Sequence, residues 1–78
     1  MTPKQIIYSD HAERRLSTRR ITRQNVRRLL ATGTRTMAPT ASDAQRWQCT
    51  GKLDHHDAVV IFIEDATTIL VVTVMWDD

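Results

Sequence analysis

Two observations predict an α+β fold in which two N-terminal helices pack on a three- to four-stranded antiparallel sheet. Between Asp10 and Leu30 the apolar residues recur at helical spacing behind two capping residues. Beyond Thr34 they recur at the two-residue period of strands and are rich in Val, Ile and Thr. Helices followed by strands, without alternation, place the helices on one face of an antiparallel sheet. The length of 78 residues fits one domain over 1–78 and no second.

Ser9 or Asp10 suits the N-cap of a helix starting near His11, and Asp10 with Glu13 has capping-box spacing. Ala12 and Leu16 give this helix a narrow apolar stripe, and it should run to about Thr18 or Arg19. Thr22 caps a second helix with Val26, Leu29 and Leu30 on its buried face, and Gly33 stands where a left-handed C-terminal residue is expected. The segment Arg35 to Pro39 reads as a short strand and "PTASDAQ" as a loop. In "RWQCTGKL", Trp47, Cys49 and Leu53 alternate with Arg46, Gln48, Thr50 and Lys52, the pattern of a half-exposed strand. "LDHHD" turns the chain into "AVVIFIE", a central strand apolar on both faces; "EDAT" turns it again into "TILVVTVMW". On strict alternation Thr73 shares a face with Ile69, Val71 and Met75, opposite Leu70, Val72, Val74 and Trp76.

The formal net charge of +2 conceals an asymmetry. From His11 to Arg28 there are seven arginines (Arg14, Arg15, Arg19, Arg20, Arg23, Arg27, Arg28) against one acid, Glu13; the rest of the chain has four basic and eight acidic residues. Clustered arginine is the footprint of an anionic partner, and phosphodiester backbones are the commonest one. The apolar runs are too short for a membrane span, and no secretory signal is visible at the start, so the cytoplasm is the default compartment. The single cysteine, Cys49, reads as a small buried residue.

On the first helix His11, Arg15, Thr18 and Arg19 fall within about 100° of arc. Imidazole exchanges protons near neutral pH, and guanidinium binds phosphate oxygens and offsets charge that grows during phosphoryl transfer. The stripe suits RNA cleavage by the 2′-hydroxyl. It equally suits anion binding without chemistry, or a solvated basic face. Asp54 to Asp57 offer two imidazoles and two carboxylates, but neighbouring strand residues point apart, so a polar turn is the better account than a metal site. No motif here calls for a cofactor.

The residues "SDHAERRLSTRRI", with Val26, Leu29 and Leu30 behind them, resemble the signature of a small bacterial family catalogued as a domain of unknown function, number 4258. Ser9, His11, Ala12, Arg15, Arg19, Ile21, Val26 and Leu30 match its pattern, and Thr73 within "ILVVTVMW" matches the Thr of its last strand. The family is similar to RelE-like ribonuclease toxins, including the BrnT type, and related domains tip secreted polymorphic toxins. The resemblance implies a metal-independent ribonuclease-like protein, with His11 as general acid or base, Arg15 and Arg19 on the phosphate, and Thr73 as a hydroxyl orienting the histidine. Arg14, Arg20, Arg23, Arg27 and Arg28 would then form a looser rim steering RNA, free or on the ribosome. An acidic antitoxin or immunity protein is the protein partner it implies. A non-catalytic nucleic-acid- or protein-binding module is the alternative, as is a dimer through the apolar strands. One departure stands out: the family usually has Gly where this chain has Arg20, a costly exchange if the backbone there is left-handed.

Overall fold

The computed structural model describes residues 4–38 and 46–77. The chain runs β1 (Gln5–Tyr8), α1 (Asp10–Arg19), α2 (Arg23–Thr32), β2 (Thr34–Met37), β3 (Trp47–Leu53), β4 (His56–Glu64) and β5 (Thr68–Trp76). The strands form one sheet in the order β1-β5-β4-β3-β2. The helices share a core with Cys49, Leu53, Ala58, Val60, Phe62, Ile69, Val71 and Val74, so they cover a single face of it.

The α+β class stands, with two corrections. Among the described residues the sheet has five strands rather than three or four, and it is mixed rather than antiparallel, because β1 pairs parallel to β5 from Gln5↔Thr68 to Tyr8↔Val71. β1 is four residues long, with only Ile6 and Tyr8 half-buried. So short an alternation carries little signal of its own, and its partner lies at the far end of the chain. The second strand spans Thr34–Met37, and the "PTASDAQ" loop lies outside the described residues.

Both helix starts follow from their caps. The Ser9 hydroxyl accepts from the Ala12 N–H, which makes Ser9 the N-cap and leaves Asp10 inside the first turn, so the Asp10–Glu13 capping box does not form. At α2 the box is complete: Thr22 Oγ1 accepts from Asn25 N, and Asn25 Oδ1 accepts from Thr22 N. Ala12, Leu16, Val26, Leu29 and Leu30 are all buried, as the periodicity requires.

The helix ends differ from expectation in opposite ways. Gly33 is extended at φ −78°, not left-handed. It is small because a Cβ there would come within 2.6 Å of Thr50 O, 2.7 Å of Leu29 O and 2.8 Å of Cys49 Sγ. The left-handed residue is Arg20, at φ 58° and ψ 42°. Ile21 N–H donates to Leu16 O at 3.0 Å and Arg20 N–H to Ser17 O at 3.4 Å, a Schellman ending that brings Ile21 onto Leu16. A non-glycine residue in this conformation costs about 1 kcal/mol.

β3 to β5 form the meander read from the sequence, with Asp54 and His55 both at positive φ (51° and 71°) in the two-residue turn between β3 and β4. In the β4–β5 turn, Asp65 accepts from the backbone N–H of Thr67 and Thr68, each at 2.8 Å, and from both hydroxyls. The backbone bonds first, then the hydroxyls, hold its carboxyl below the usual range. A lowered native pKa means stability that is complete above the ordinary aspartate range and is lost as pH falls through the native value. We therefore expect Asp65→Asn to flatten the acid limb of a thermal-stability-versus-pH curve below about pH 4; an unchanged limb would contradict the turn geometry.

The β4–β5 register slips between Ile61 and Phe62: Ile61 pairs with Thr73, but Phe62 pairs with Val71, leaving Val72 as the extra residue of a bulge. Ile69 and Val71 therefore share the helix-covered face with Val74 and Trp76, and Thr73 lies opposite Ile61 on the other face. Strict alternation instead joins Thr73 to Ile69 and Val71, and the bulge is the reason it fails across Val72.

Candidate functional site

The site is built on α1, which is tied to β5 at both ends. The Ser9 hydroxyl that caps the helix also donates to the carbonyl of the bulged Val72 at 3.0 Å. At the other end the Trp76 indole N–H donates to the carbonyl of Arg19 at 2.9 Å. With Ala12 and Leu16 held down, Glu13 and Ser17 fall on the flank toward the start of α2. His11, Arg15 and Arg19 fall on the opposite flank.

That flank separates into two groups. His11 is exposed and Arg15 half-buried, and Arg15 Nε donates to His11 Nε2 at 3.5 Å. The contact sets the Nε2 atom of the imidazole beside a guanidinium. Arg19 is two turns further on, about 12 Å along the axis from His11. It joins Arg20, His56 and Trp76 around a hollow of about 480 Å³. The His56 and Trp76 rings meet edge to face, 5.9 Å between centroids. Sequence reasoning missed this second group, because His56 reaches Trp76 only through the β3–β4 turn and the register Ala58↔Trp76.

Thr73 does not join His11: the bulge turns it to the sheet face away from the helices. The remaining arginines have different surroundings. Arg23 is ion-paired with Glu13 and lies over the Tyr8 ring, 5.1 Å from its centroid. Arg27 lines a separate hollow with Lys4, Gln5 and Ile6. Arg14 and Arg28 are exposed, and their carbonyls accept from the Thr18 and Thr32 hydroxyls. Burial raises the Tyr8 phenol pKa against the opposing pull of Arg27 and Arg23.

Cys49 is fully buried, and its thiol donates to Leu29 O at 3.0 Å. Burial pushes the thiol up more strongly than Arg35 and the Gly33 N–H pull it down. We therefore expect no modification by an exposed-thiol reagent in the native state and full modification after denaturation; rapid native labelling would contradict this placement. Arg35 guards the other end of the core, over the Phe62 ring at 5.3 Å from the centroid and bonded to Glu64 and Leu30 O. Burial tends to raise the Glu64 pKa, but Lys4 and Arg35 outweigh it and hold the carboxyl low. Among the described residues no three His, Cys, Asp or Glu side chains gather as a metal-binding group, and no helix is long and apolar enough to cross a membrane.

No curated protein and no solved structure matches the chain. One family model does, Domain of unknown function (DUF4258), over residues 8–76. That span begins just before the Ser9 cap and ends on Trp76, so it takes in both helices, the whole meander and both attachments of α1, and the chain belongs to the DUF4258 family.

Proposed function

We propose that this protein binds single-stranded RNA along the free flank of α1 and cleaves it by intramolecular transesterification, His11 moving the proton and Arg15 holding the phosphate. The carrying observation is the contact between Arg15 Nε and His11 Nε2 on the accessible face of a helix fixed at both ends. It sets a proton acceptor beside a phosphate ligand. As Arg15 turns its guanidinium from the imidazole to the phosphate, Nε2 is released to take the proton of the 2′-hydroxyl while the bond from the 2′-oxygen to phosphorus forms and the bond to the 5′-oxygen breaks. The proton returns to the departing 5′-oxygen from the imidazolium or from water. The products are a 2′,3′-cyclic phosphate and a 5′-hydroxyl end. Arg15 offsets the charge that grows on the non-bridging oxygens. The RelE-like resemblance supports the same chemistry. Thr73, on the far face, has no part in it.

The test is incubation with RNA in the presence of a chelator, with mapping of the ends produced. Cyclic phosphate ends support the reading, and intact RNA rejects it. One observation favours a second reading, binding without turnover: Arg19 stands about 12 Å from His11 along α1, too far for the two to attend one phosphate as a compact catalytic trio. RNA retained but uncut would favour it.

A further inference from the structure

The hollow at the C-terminal end of α1 has no part in the proton transfer proposed above, yet its lining is specific. Arg19 and Arg20 are consecutive and exposed. Trp76 forms another wall, with the His56 ring set against it edge to face. The indole is not free to turn, because its N–H is spent on the Arg19 carbonyl. Its partly exposed ring therefore presents a fixed aromatic surface beside two guanidiniums. An aromatic face next to paired cations is the complement of a nucleobase with its phosphate, and stacking of this kind tolerates any base.

The backbone supplies a second, independent observation. Arg20 occupies the left-handed position of a Schellman ending, where glycine carries no penalty. Strained residues cluster where a side chain serves a purpose that its conformation does not. Here the strain keeps a second guanidinium at the rim of the hollow.

We propose that Arg19, Arg20 and Trp76 form a nucleotide subsite for single-stranded RNA, with the base stacked on the indole and its phosphate held by the two guanidiniums. It deepens the RNA reading by giving the strand a second attachment about two helical turns from His11, without depending on cleavage.

Because glycine fits the backbone better, Arg20→Gly separates binding from folding. The probe is a fluorescein-labelled 2′-O-methyl hexanucleotide, which has no 2′-hydroxyl to react. We expect Arg20→Gly to raise the melting temperature by about 4–8 °C and to weaken the probe about tenfold, the loss of one charge-assisted contact. Lys4→Ala removes the same charge at the opposite end of the sheet and should change affinity by less than about twofold, since a distant surface charge acts only through a screened field. The indole N–H resonance of Trp76 should shift on adding the probe. Unchanged affinity in Arg20→Gly, an equal loss in Lys4→Ala, a lower melting temperature in Arg20→Gly, or displacement of the probe by equimolar inorganic phosphate would each overturn the subsite. Failure of the wild type to bind the probe would also overturn it, while leaving cleavage of ordinary RNA by His11 as a separate result.

Discussion

His11→Ala is expected to lower the rate of RNA cleavage by about 10²- to 10⁴-fold, the usual contribution of a positioned acid–base group. The side chain is exposed and bonds to Arg15, so its removal leaves no buried group unsatisfied. The melting temperature should stay within about 2 °C, because exposed positions of this kind change stability by less than about 0.5 kcal/mol. Parallel measurement of single-turnover cleavage and thermal melting makes the outcome readable. Wild-type cleavage by the variant would end the role assigned to His11. Arg15→Lys offers a companion: it keeps the charge but loses the planar fork, and should lower the rate less than Arg15→Ala does.

The largest expected effect on stability belongs to Gly33→Ala, about 3 kcal/mol, or a fall in melting temperature of roughly 15 °C. The added methyl meets two backbone oxygens, Thr50 O at 2.6 Å and Leu29 O at 2.7 Å, and neither can swing aside. Relief requires the end of α2 to lift from β3, which disturbs the bond from Gly33 N–H to Leu29 O and the buried thiol beside it. Gly51→Ala is the internal comparison. Its closest contact is the Leu29 Cδ1 tip at 2.7 Å, the end of a flexible side chain, so its cost should be clearly smaller. Equal melting temperatures for the two variants would mean that α2 does not approach β3 as described.

Much of the architecture was legible because local chemistry decides it. The Ser9 and Thr22 caps, the buried faces of both helices, the alternation around Cys49 and the positive-φ turn at Asp54 and His55 all express nearest-neighbour preferences. What escaped was non-local. β1 is too short to announce itself, and its parallel partner is more than sixty residues away. The bulge at Val72 shifts the two-residue period midway along β5, so alternation groups Thr73 with Ile69 and Val71 where the sheet sets them on opposite faces. Gly33 is required for close approach to β3, while the left-handed conformation its position suggests is adopted by Arg20 instead. The candidate site divides the same way. The His11–Arg15 pairing follows from helix geometry, whereas the meeting of Arg19 and Arg20 with Trp76 and His56 depends on strand register that no periodicity encodes.

The parallel pairing of β1 with β5 also orders events in time. The hydrogen bonds that tie both ends of α1 to the sheet go to β5: Ser9 bonds to Val71 and Val72, and Arg19 to Trp76. Such contacts carry the highest loop-closure entropy, so they form late, after the local β3–β4–β5 hairpins. During synthesis the helix bearing His11 emerges well before the strand that holds both of its ends. The basic helix is therefore made before its seat, and the aromatic and arginine walls of the hollow at its C-terminal end come together only once β5 has been made.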